Sequence, residues 1–207
     1  MGLVRKPASA PPEEAVPEKP SVQTLLQQVH DDDPELRREA ALSLVEVTEA
    51  VPVLLARVGV ETEARVRDAV LTTLAAHDTA TVAAGLAVHL ASDEASLRTA
   101  VAEALATMPG SALDLMPDLL AAPDHDVRVM TAMILADLPH PDAKTWLLRM
   151  IADDPHPNVV TGAIDALLPA ADAGDAPVLQ AAVQRFPDDP FLRFTVQAAL
   201  PRLTGTA

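Results

Sequence analysis

An acid, then Val or Leu three residues later, then Arg, recurs along this chain. The copies are Asp33/Leu36/Arg37, Glu63/Val66/Arg67, Glu94/Leu97/Arg98, Asp124/Val127/Arg128 and Asp189/Leu192/Arg193. The first four arginines are spaced by 30, 31 and 30 residues, and another copy aligns at Val159 and Val160 without its Arg. A period of that length is one helical hairpin stacked on the next, so length counts repeats instead of globular domains. Six such units occupy nearly all of the 207 residues.

The residues available to fill such a stack are mostly small. Apolar side chains make up 49% of the sequence but aromatic ones only 2%, so Ala, Val and Leu fill the interior and allow close helix packing. No apolar run reaches the roughly 18 residues that a bilayer span requires. The opening residues Met1 to Lys6 lack the apolar core of a signal sequence, and a soluble, cytoplasmic protein is expected. Without cysteine there is no disulfide, thiolate zinc site or thiol nucleophile. The net charge of −15 belongs to the repeats, because Arg5, Lys6 and Lys19 balance Glu13, Glu14 and Glu18 in the first twenty residues. Such a field repels nucleic acid and suits solubility or a basic partner.

Residues 1–20 carry Pro7, Pro11, Pro12, Pro17 and Pro20 with no helical or strand period, and read as a disordered tail; the repeat domain is expected over 21–207. From Ser21 the chain reads as helix pairs at 21–30 with 34–47, 50–58 with 63–76, 79–91 with 94–107, 112–122 with 124–137, 142–152 with 157–169, and 176–186 with 190–203. In the second helices apolar residues recur four apart, as in Val66/Val70/Leu74 and Leu97/Val101/Leu105, which keeps one stripe toward the stack. Asp33-Pro34 and Asp189-Pro190 place an N-cap acid before a proline at the first helical position. Gly59, Gly110 and Gly174 are expected to stop helices.

This pattern resembles HEAT repeats, and the short unit with Val/Leu-Arg opening its second helix is most similar to the HEAT-like repeats named after phycobilisome lyases. The resemblance covers residues 21 to about 203. It implies an all-α, right-handed α-solenoid whose second helices line the concave side, and a ladder of acid and Arg contacts within and between repeats. The residues of that ladder are Asp33, Arg37, Glu63, Arg67, Glu94, Arg98, Asp124, Arg128, Asp189 and Arg193. An acid and an Arg four apart share one side of a helix's first turn, worth about 0.3–0.5 kcal/mol when exposed. The fifth unit has His156 and Val160 at these positions, and losing both together suggests that the two interact.

Departures from the repeat average are where function is sought. One step past the Arg, repeat four carries Val129 and, four residues on, Met133, where repeats two, three and five have Asp68 and Thr72, Thr99 and Glu103, Thr161 and Asp165. Val129 and Met133 are expected to form an apolar spot on the concave face, rimmed by Asp68, Glu103 and Asp165 and extended by Phe194. Five of six methionines and Trp146 fall between residues 108 and 150, which helical spacing assigns to the core, and Phe186, Phe191 and Phe194 are expected to close the last repeat. His125 and His156 fall on the same edge of consecutive repeats near several Asp residues, but no His-Glu dipeptide of the HEAT hydroxylase kind occurs, and no metal or other cofactor is expected. Catalytic signatures such as Gly-x-Ser-x-Gly or His-Glu-x-x-His are absent. The reading is a non-catalytic adaptor holding a protein partner along its concave face. The alternative that the resemblance implies is an accessory or maturation factor for another enzyme or pigment protein, including bilin lyase-like handling of a tetrapyrrole.

Overall fold

The computed structural model describes residues 19–205. The tail expected at 1–20 therefore lies, through residue 18, outside the described residues. The helix pairs are α1 (Val22–Gln28) with α2 (Pro34–Ser43), α3 (Val51–Val58) with α4 (Ala64–His77), and α5 (Ala80–Ala87) with α6 (Ala95–Ala106). They continue with α7 (Pro109–Ala112) and α8 (Met116–Leu120) before α9 (His125–Asp137), then α10 (Ala143–Asp153) with α11 (Pro157–Leu167), and α12 (Ala176–Arg185) with α13 (Pro190–Thr204). Among the described residues there is no strand. The chain is an all-α solenoid of two-helix repeats.

Second helices follow one another in contact, α2 to α4, α6, α9, α11 and α13. They pack on one another more extensively than the first helices do. The four-residue stripe is what they bury: Val70, Leu74, Val101, Leu105, Leu135, Val159, Ala163 and Leu192 are almost wholly excluded from solvent. A fully buried Leu or Val contributes about 1.5–3 kcal/mol, and a stack renews that gain at every joint. Asp33 and Asp189 cap their helices as their spacing predicts, accepting from Glu35 N at 2.9 Å and Leu192 N at 2.8 Å.

Several local expectations fail for identifiable reasons. The first helix of repeat four, expected unbroken over 112–122, is divided into α7, a tight turn at Leu113–Leu115 and α8, with Pro109 and Pro117 each starting a segment. Gly59 does end α3, but Gly110 lies inside α7 and Gly174 inside a short turn at Ala173–Asp175. Gly110 is needed for a close approach: its N–H and that of Ser111 donate to Asp78, and a Cβ there would stand 2.8 Å from Asp78 Oδ2. The chain turns at Asp78 with φ of 37°. Its carboxylate thus clamps the start of repeat four from the end of repeat two, and α2, expected to reach residue 47, ends at Ser43.

Candidate interaction surface

The acid–Arg register builds a ladder, but its rungs differ from the expected ones. Among the described residues no ion pair joins Asp33 to Arg37, Glu63 to Arg67, Glu94 to Arg98, Asp124 to Arg128 or Asp189 to Arg193. The acid sits at the N-cap, where Asp33, Asp124 and Asp189 turn their carboxylates toward amides of the first helical turn. The Arg extends the other way. Each donates to the carbonyl six residues earlier: Arg37 to Asp31 (2.9 Å), Arg67 to Glu61 (2.6 Å), Arg98 to Ser92 (2.6 Å), Arg128 to Ala122 (2.8 Å) and Arg193 to Pro187.

Three of them also reach into the next repeat. Arg37 sends Nε and Nη2 to the two oxygens of Glu61 (2.9 and 3.0 Å), and Arg128 grips Asp154 in the same fork (2.7 and 3.0 Å). Glu61 and Asp154 stand two residues before the N-cap of their repeat and also accept from the cap residue's N–H, at 2.9 Å from Glu63 and from His156. In repeat three Ser92 holds that position, and Arg67 turns to Glu94 (2.8 Å) and Ser96 (3.2 Å) instead. In repeat four the position is Ala122, and Arg98 Nε is buried without a partner among the described residues. The acceptors Glu61 and Asp154 escaped the five-copy pattern because only some repeats carry them.

Glu61 has the strongest electrostatic setting. Burial alone raises a carboxyl pKa, but hydrogen bonds from Arg37, from the Glu63 amide and from Arg57 outweigh it and hold Glu61 at about 2. The ladder is structural, and it fixes which side of each second helix faces outward.

That outer side carries the predicted binding residues on successive helices: Asp68 on α4, Glu103 on α6, Val129 and Met133 on α9, Asp165 on α11 and Phe194 on α13. Asp68, Glu103 and Asp165 are exposed, and Phe194 is 65% exposed. Partial desolvation pushes the Asp165 carboxyl above its usual range. Val129 and Met133 are half-buried against the core, so they form a shallower spot than the pattern implied. Val129 packs beside Gly162 of α11, where even an added Cβ would lie at an ordinary contact distance of 3.6 Å from Val129 Cγ1. Asp68 and Glu103 face each other across a cleft of about 420 Å³ between α4 and α6, floored by Ala75, Ala100 and Ala104. A second cleft of about 360 Å³, lined by both acids with Thr99 and the ladder Arg67, lies beside it. Neither carboxylate has an ion-pair partner among the described residues. Arg38 of α2 and Arg65 of α4 border a further cleft on the other side of Asp68, so the acidic character is confined to the side of α4 that faces α6.

Elsewhere the structure refines the sequence picture. Met108, Met116 and Met150 are buried, whereas Trp146 is half-buried and stacks on His140 at 5.1 Å. On the first-helix side α8 and α10 separate, leaving a groove of about 700 Å³ lined by Met116, Leu120, Trp146 and Met150. Phe186 packs on the core, but Phe191 and Phe194 are exposed and do not close the last repeat as expected. His125 and His156 meet as stacked rings 3.8 Å apart. Among the described residues, no cluster of three or more His, Asp or Glu is arranged to hold a metal, and no helix is long and apolar enough to cross a membrane.

Comparison with protein families matches HEAT repeats over residues 21–106 and 113–201. Comparison with curated proteins finds no match. Among solved structures, the chain is similar to an engineered protein (18% identity, TM-score 0.41, covering 90% of this chain and 99% of that one). It is also similar to human deoxyhypusine hydroxylase in complex with glycerol (17%, 0.40, 89% and 84%). A third likeness is to the complex of CpcE and CpcF of phycocyanin lyase from Nostoc sp. (16%, 0.39, 96% and 100%).

Proposed function

As this chain belongs to the HEAT-repeat family, we propose that it is a non-catalytic scaffold that holds a basic segment of a protein partner along its second-helix face. The observation that carries this reading is the cleft between α4 and α6, where Asp68 and Glu103 present two carboxylates without ion-pair partners over a floor of alanines. Small floor residues let a partner's backbone or a lysine stem come close, while the acids at the rim select for positive charge. Val129 and Met133 add apolar contact on the next helix, and a thioether adapts its shape to the partner. Asp165 and Phe194 continue the same face toward the C-terminal end.

The test is affinity purification with quantitative mass spectrometry, comparing the native chain with Asp68→Lys/Glu103→Lys. Both residues are exposed and outside the ladder, so the variant should retain its helicity and melting temperature. Proteins retained by the native chain should drop by at least about tenfold with the variant, as expected for reversed charge at two contact sites. An unchanged set of proteins on a folded variant overturns the reading.

A further inference from the structure

The ladder has an open rung at each end, and the two are complementary. At three internal joints the Arg of one repeat, Arg37, Arg67 or Arg128, reaches the next repeat and is buried or half-buried there; Arg193, on the last second helix, is exposed. It is already held in the common pose by the carbonyl of Pro187, with no carboxylate in front of it among the described residues. At the other end, Asp31 holds the position that Glu61 and Asp154 hold in their repeats, two residues before the cap. Like them it accepts the cap N–H, from Asp33 at 2.9 Å. Its carboxylate feels the charge of Arg37, which is anchored on the Asp31 carbonyl, but among the described residues it forms no ion pair with an Arg.

A second observation lies beside Asp31. Leu36 occupies a position that is covered in four of the other units, where Val66, Leu97, Val159 and Leu192 are 3% exposed or less, and half-covered at Val127 in repeat four; Leu36 is 37% exposed. The N-terminal face thus offers an uncovered apolar side chain and an uncovered carboxylate in the geometry of an internal joint.

We infer that a second copy of this chain docks end to end, its Arg193 taking the carboxylate of Asp31 as Arg128 takes that of Asp154, and its last repeat covering Leu36. The direction is fixed, because the three ladder arginines that cross a joint, Arg37, Arg67 and Arg128, all reach toward the following repeat. The new joint is weaker than an internal one. Gln197 stands where the inner repeats place Ala41, Leu71, Ala102, Ala132 and Ile164, all buried at the joints, so the terminal face is partly polar. Association is therefore reversible and depends on concentration. A contact between different faces does not close on itself, so it extends beyond a dimer as concentration rises.

The experiment is sedimentation equilibrium of the full chain from micromolar to millimolar concentration, alongside Arg193→Glu and Asp31→Arg, with circular dichroism to establish that each variant is folded. The native mass should rise with concentration, and each single variant should weaken association by at least about tenfold, the loss expected for a charge-assisted pair. Mixing the two variants should restore a heterologous contact with the charges exchanged. A native chain that stays monomeric throughout, or one whose association is unaffected by Arg193→Glu, overturns the inference.

Discussion

Arg185 donates to the carbonyl oxygen of Asp154, the acceptor six residues before Val160 that a ladder Arg at that position would have served. It also donates to Ile151 O at 2.8 Å, and its guanidinium lies 5.0 Å from the centre of the Phe186 ring. A cation from the first helix of repeat six thus replaces the one missing from the second helix of repeat five. The loss of both acid and Arg in repeat five does not report a broken contact between them; His156 takes over the cap, accepting from Asn158 N at 3.3 Å, and Arg185 takes over the carbonyl.

Arg185→Met keeps much of the apolar stem and removes these charged donors, leaving two loop carbonyls without them. The expected cost is about 1.5–3 kcal/mol, appearing as faster amide exchange in α12 and α13 than in α4 and α6. Thermal unfolding with site-resolved hydrogen exchange checks both parts, and a uniform change along the array would contradict the local role.

Ala122→Asp should stabilise the protein. The new carboxylate takes the place that Asp154 has in the next repeat, within reach of the orphaned Arg98 Nε and the Asp124 amide. A gain of about 0.5–2 kcal/mol in chemical denaturation is expected. It should disappear when Arg98→Met is introduced, and a gain that survives that second change would point to a cause other than the ladder.

Glu61 makes stability depend on acid. Its carboxyl titrates at about 2 when folded, against 4.5 without its neighbours, so the folded state binds the proton less readily. Its stabilisation is fully present above pH about 4.5 and is lost as pH falls toward about 2, a difference of about 3 kcal/mol. Glu61→Gln should be less stable than the native chain at neutral pH. The two should converge as pH falls through that window, as followed by urea denaturation at a series of pH values.

The sequence revealed the fold because repetition multiplies a weak signal. One helix boundary is uncertain, but an acid, an apolar residue and an Arg recurring every thirty or so residues fix the second helices together. Partner choice within the ladder was hidden because periodicity places residues on a helix without saying which way a long side chain extends. An N-cap acid is drawn to its own helix amides, so Arg37 reaches past Asp33 to Glu61. The proposed face was legible as two sets of equivalent positions, Asp68 with Phe194 and Glu103 with Asp165, all exposed. Its centre was less so: Val129 and Met133 are half-buried against the core, and comparison of equivalent positions does not register the neighbours in the following repeat that cover them.

Hydrogen–deuterium exchange of the native chain with a protein recovered by the charge-reversal comparison tests the proposed face most directly. Protection is predicted along α4, α6 and α9, strongest in the peptides containing Asp68, Glu103 and Met133. Protection confined to α8 and α10, around the groove that holds Trp146, would contradict it.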